Sequence, residues 1–190
     1  MTTVVESNPS TWNEAAKICV ADIASQPLST RSLDNLRNLI DYMINLSTGA
    51  AGGKLSEIDV FPAESGVRMW DGYWTEFGSI ALAAGQKKGI FPQFDAWPTG
   101  PELLRKNELI KDISDVLVRK QRDYGHENIS RFGRIGLLVR SHDKVARLEN
   151  LEAKGVDPQN ESVSDNYIDV IGYSAIGMMW ERGWFKLQLS

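Results

Sequence analysis

Glu161, Asp165 and Asp169 stand four residues apart. On a helix that spacing lines them up in one stripe, each about 6 Å further along the axis. Like charges so placed repel by roughly a few tenths of a kcal/mol per pair. They lie beside an apolar set (Val163, Ile168, Val170, Ile171, Ala175 and Met178), and a chain built this way is expected to set positive charge against the acids. A divalent metal, a neighbouring helix of Lys and Arg, or both can supply it. Carboxylates at fixed spacing are hard oxygen ligands for Mg²⁺, which keeps several waters and accepts substrate phosphate as a further ligand.

The cations stand just upstream. Arg140, Asp143, Arg147 and Asn150 recur at three- and four-residue steps and share a helix face, with Lys144 beside it. The connection to the acidic segment is short, so the two segments are expected to be antiparallel neighbours. Lys144, Arg147 and Arg140 would then neutralise phosphate oxygens. A purely structural account pairs the two faces as a salt-bridge network, but buried ion pairs carry a heavy desolvation cost. Such a cluster is an expensive way to hold two helices together, which favours a functional site. Before it come Lys120, Asp123, Tyr124, His126, Asn128 and Arg131. Each has an ordinary explanation as helix stop, cap or surface residue. Together they form a loop able to contact a base and sugar. His126 and His142 have no Cys/His partner set that suggests zinc.

The elements that position these groups read as helices throughout. Trp12–Ile23 has Thr11 as its cap and Ala15, Ile18, Cys19 and Ile23 on one face. Ser29 or Thr30 can cap a second helix running to about Leu46. The stretch 47–53, rich in Gly and Ala, reads as a connector; it lacks the hydroxyl of a phosphate loop. A third helix over 64–86 carries Trp70, Tyr73, Trp74 and Phe77, whose commoner use is core or dimer-interface packing. Gly89–Gly100 is a non-helical crossing packed by Phe91, Phe94 and Trp97. Pro101 then opens a long helix over 101–122, with Leu103, Leu104, Ile110, Ile113, Val116 and Leu117 on its apolar face and Gly125 as its stop. Helices over 133–151 and up to about residue 181 follow. No strand alternation is evident. The expectation is an all-α helical bundle, with an aromatic-rich helical region over residues 1–100 and the site-bearing domain over 101–190.

Hydrophobic content of 42% with 24% charged residues is that of an ordinary globular chain of 190 residues. The net charge of −4 argues against general coating of nucleic acid, which normally shows a basic excess. Cys19, the single cysteine, cannot form an intramolecular disulfide and reads as an inert buried thiol suited to a reducing, cytoplasmic compartment. No secretory leader or membrane span is expected.

The ordered run Lys120-x-x-Asp123-Tyr124-Gly125, Asn128, Arg131-Phe132-Gly133, Arg140-x-x-Asp143-Lys144-x-x-Arg147, then Glu161-Ser162-x-x-Asp165-x-x-x-Asp169-x-x-Gly172-Tyr173 resembles the phage nucleotide-modification-associated domain, the first family of that name. That family is helical and tied to nucleotide or DNA-base metabolism in bacteriophages. The helix pair also looks like the MazG-like all-α nucleotide pyrophosphohydrolases. The resemblance implies a Mg²⁺-dependent enzyme that cleaves a (deoxy)nucleoside triphosphate to monophosphate and pyrophosphate, completed by homo-oligomerisation. Glu161, Asp165 and Asp169 would hold the metal, and Asp143 or Asp165 would take a proton from water. Lys144 and Arg147 would stabilise developing phosphate charge, with Arg131 and Arg140 on substrate. Lys120, Asp123, Tyr124 and Asn128 would read sugar or base. The first helix of the pair supplies cations where the hydrolases place a Glu-x-x-Glu, which favours the alternative of a non-catalytic nucleotide-binding protein.

Overall fold

A computed structural model of the chain describes residues 8–27, 33–49, 66–155 and 162–190. Seven helices lie within them: α1 (Trp12–Ala24), α2 (Leu33–Thr48), α3 (Gly66–Lys87), α4 (Gly100–Tyr124), α5 (Glu127–Ser130), α6 (Gly133–Lys154) and α7 (Val163–Glu181). No strand occurs among the described residues, and the expected all-α bundle is what forms. The proposed caps Ser29 and Thr30, residues 50–53 of the connector, the loop at Asp157-Pro158 and Glu161 lie outside the described residues.

Local chemistry accounts for most helix ends. Thr11 caps α1 in a capping box: its Oγ1 accepts from the Glu14 N–H at 3.3 Å while the Glu14 carboxylate accepts from the Thr11 N–H at 3.3 Å. α4 ends at Gly125, whose positive φ of 63° is a conformation that glycine adopts without a Cβ penalty. Its N–H bonds back to the Gln121 carbonyl at 2.8 Å. An apolar stripe on α2 is buried at Leu33, Leu36, Leu39, Ile40 and Met43.

α7 is the hub. α1, α3, α4 and α6 all pack on it, and α2 lies across α3 and α6. Eleven residues of α7 are buried, distributed around the helix rather than along one stripe, as expected of a helix enclosed by neighbours. Contact with α3 is close enough that Gly177 abuts the Trp74 indole and any larger residue would strike it. The aromatics of α3 (Trp70, Tyr73, Trp74 and Phe77) are buried in this same core. One hydrophobic cluster runs from Trp12 to Phe185 across both expected domains. Cys19 is fully enclosed, and burial pushes its thiol pKa up to about 12, consistent with an inert thiol.

Two expectations are corrected here. Trp97 does not pack the crossing before α4: it is 83% exposed, while Phe91 and Phe94 are buried. Leu103 and Leu104 are also exposed, because the first turns of α4 run beyond the surface that α1 covers, and Ile110 is the first buried leucine or isoleucine of that face. α6 and α7 are antiparallel as expected. Arg134 at the start of α6 holds Glu181 at the end of α7 through two hydrogen bonds of 2.8 Å, and Lys144, further along α6, meets Asp169, earlier in α7.

Candidate functional site

Asp169 is the acid that the fold buries. It sits on the inner hub helix with 7% of its surface exposed, and a carboxylate so placed is tolerated only with charged partners. Lys120 of α4 pairs with Oδ1 and Lys144 of α6 pairs with Oδ2, the latter at 2.9 Å. Three helices therefore converge on one carboxylate, each bringing its residue by ordinary helical spacing. Lys120, Gln121 and Tyr124 share one side of α4; Arg140 and Lys144 stand one turn apart on α6; Asp169, Gly172, Tyr173 and Ile176 share one side of α7.

Between them lies a cleft of about 320 Å³, lined by those residues together with Leu117, Gly125, Asn128 and Ile129. One part is cationic, where Lys120 and Lys144 hold Asp169 and Arg140 lines the same cleft. The remainder is apolar and aromatic. Arg140 is oriented by a hydrogen bond from Nη2 to the Asn128 Oδ1 at 2.6 Å. Tyr124 stands at the cleft with 65% of its surface exposed.

Of the described residues expected at the site, Lys120, Tyr124, Asn128, Arg140, Lys144 and Asp169 line the cleft, and Asp123, Arg131, Asp143, Arg147 and Asp165 do not. Asp123 and Asp143 are exposed, turned away on α4 and α6. Arg131 is exposed beside Phe132, its guanidinium 5.8 Å from the ring centroid. Arg147 lies about two turns along α6 from Arg140 and is half-buried beyond the cleft.

Asp165 is exposed and serves the start of α7. Its Oδ2 accepts from the Ser162 hydroxyl at 2.7 Å and the Ser162 N–H at 3.1 Å, and its own N–H donates to Ser162 Oγ at 3.0 Å. The Ser162 hydroxyl bond is the main cause holding the Asp165 carboxyl below its ordinary pKa. Slight burial opposes it, and the Ser162 backbone bond and the charges of Lys120 and Lys144 assist.

Whether these acids suit Mg²⁺ can be read from their engagements. Among the described residues no three His, Cys, Asp or Glu side chains come together as a metal-binding group. Both oxygens of Asp169 face ammonium groups, and Asp165 is held in the cap. The described donors do not by themselves make a magnesium site; they make a cation-rich cleft around one carboxylate.

Gln121 and Tyr173 also line the cleft; Gln121 is not part of the ordered run, and Tyr173 ends it without an assigned role. Both carried a signal. Gln121 falls four residues after Leu117, and Tyr173 four after Asp169, so each shares a face with a recognised position. The Ser162-x-x-Asp165 box was equally legible.

Residues 120–180 match the model of a family described as nucleotide modification associated domain 1. That segment begins at Lys120 and contains Lys144 and Asp169, the three charges that meet at the cleft. The matched portion of this chain is similar to a nucleotide-modification-associated domain. No curated protein and no solved structure matches the chain. No helix among the described residues is long and apolar enough to cross a membrane.

Proposed function

We propose that the cleft binds a nucleotide, with its phosphate drawn to Lys120, Lys144 and Arg140 and its base set against the apolar side. The observation that carries this reading is the convergence of lysines from two helices on the buried Asp169, beside open space. Ammonium and guanidinium groups are the side chains best suited to phosphate oxygens. Asp169 prevents the lysines from repelling each other while the cleft is empty, and it holds both ammonium groups near the place a phosphate would take. The similarity of residues 120–180 to a nucleotide-modification-associated domain supports the same ligand class.

A second reading is a pyrophosphohydrolase that converts a (deoxy)nucleoside triphosphate to monophosphate and pyrophosphate with Mg²⁺ held by Glu161, Asp165 and Asp169, working as a homo-oligomer. The spacing on α7 favours it: Asp165 lies one turn before Asp169 on the same side of the helix, and a metal would have to draw both acids from their present partners. The two readings part in one experiment. The protein is titrated calorimetrically with nucleotides in the presence and absence of Mg²⁺, and pyrophosphate release is followed in parallel. Binding without Mg²⁺ that Lys144→Ala weakens at least tenfold supports the nucleotide-binding cleft. Pyrophosphate release that requires Mg²⁺ and is lost in Asp165→Ala supports the hydrolase. No nucleotide binding under either condition overturns both.

A further inference from the structure

The cleft contains a polar group that none of its cations engages. Gln121 lines it, is only 5% exposed, and its Nε2 has no hydrogen-bond partner. A buried N–H donor without an acceptor is costly and uncommon in folded chains, so an acceptor supplied by a ligand is the natural complement. Lys120, Lys144 and Arg140 already supply donors for a phosphate, which leaves the Gln121 amide for another part of the ligand. Gln121 instead borders the apolar side, between Leu117 one turn earlier on α4 and Tyr124 one turn later. A donor set in an apolar, aromatic wall suits a flat heteroaromatic ring whose edge carries a carbonyl oxygen or ring nitrogen.

Size and charge limit the remainder of the ligand. At about 320 Å³ the cleft stands at the lower end of the roughly 300–1,000 Å³ range of small-molecule sites, room for one base, one sugar and little more. A phosphomonoester carries about −1.5 to −2 charges at neutral pH. Three cations less one carboxylate among the described lining residues leave two positive charges to meet it. Each further phosphate adds bulk and negative charge beyond that balance.

We propose that the cleft takes a nucleoside monophosphate, with the Gln121 amide donating to an acceptor on the base edge. This rests on the nucleotide-binding reading above and sharpens it to a ligand class and a base-contacting residue. Lys120 and Gln121 are adjacent on α4, so one turn of helix holds both the phosphate contact and the base contact.

The test is calorimetric titration in EDTA at fixed ionic strength. The probes are the common 5′ ribo- and deoxyribonucleoside monophosphates, the corresponding triphosphates, ribose 5-phosphate and inorganic phosphate. At least one monophosphate is expected to bind ten times more tightly than its triphosphate and than ribose 5-phosphate. Gln121→Met, which keeps the length and removes the donor, is expected to weaken that monophosphate about fivefold and leave ribose 5-phosphate unchanged. If Gln121→Met fails to fold, Gln121→Asn, which keeps an amide but draws it back, serves in its place with the same expectation. A triphosphate that binds as well as the monophosphate overturns the ligand class, and ribose 5-phosphate binding as well as the nucleotide overturns the base contact. So does a Gln121 variant with unaltered affinity. In those cases nucleotide binding itself still stands, whereas failure of every nucleotide removes the underlying reading as well.

Discussion

Two clusters of ionised groups touch α7 and its C-terminal cap, and they are built differently. At the cap, Arg182 donates to both carboxylate oxygens of Asp71 at 2.7 and 3.0 Å and to Asp22 at 2.7 Å. Its guanidinium also lies 5.1 Å from the Trp184 ring centroid. One cation there ties α1 and α3 to the end of the hub helix. Burial works against the guanidinium charge, but hydrogen bonds to Asp71 and Asp22 outweigh it and raise the pKa above the ordinary arginine value. Nearer the start of α7 the proportions reverse. Two lysines meet one acid, a third cation stands close by, and the group borders a cleft. The Arg182 cluster satisfies itself with a planar, forked donor. The Asp169 cluster is left with an excess of positive charge facing space, and such an excess calls for a ligand.

The difference can be broken from either side. The largest expected effect is on stability at the cap. Arg182→Ala leaves two carboxylates facing each other and removes the packing on Trp184, for a loss of about 3 kcal/mol, read by urea denaturation, with little change in nucleotide affinity. Lys144→Ala should do the reverse: at least a tenfold loss of nucleotide affinity by calorimetry, against a stability loss of about 1–2 kcal/mol from the weakened pairing of Asp169. Should Lys144→Ala destabilise as much as Arg182→Ala and leave ligand affinity intact, the Asp169 cluster is structural like the other.

Smaller effects sharpen the boundary between the cleft and the cap of α7. Ser162→Ala removes the hydroxyl that caps the helix and should cost about 1 kcal/mol in thermal or urea unfolding. The pH dependence follows from the same bond. The Asp165 carboxyl is held below the ordinary value of 3.8, first by the Ser162 hydroxyl. Its contribution to stability is therefore complete above that value and lost as pH falls through the lower folded pKa. Melting temperatures recorded from pH 5 downward should fall less steeply in Asp165→Asn than in the parent chain. An unchanged acid slope would show that the cap bond contributes nothing to stability.

Much of the helical framework was legible in the chain. The Thr11 cap, the α2 stripe, the Gly125 stop and the adjacency of α6 and α7 depend on residues within a turn or two of one another, or on one short connection. Leu104 and Trp97 were misplaced for a different reason. Periodicity tells which side of a helix is apolar but not how far its neighbour extends to cover it.

The site divides along the same line. Local spacing was enough to bring out Lys120, Arg140, Lys144 and Asp169, which line one cleft. It was not enough to separate Asp165, spent on a helix cap, from Asp169, buried at the hub, because both fit one acidic stripe. That separation depends on desolvation, which exists only once α4 and α6 have closed over α7. Lys120 and Asp169 lie 49 positions apart, and their meeting is decided by packing. Residue type and helical register set which groups were available for the cleft; the docking of three helices decided which of them would share it, since burial makes a carboxylate hold its cations in place.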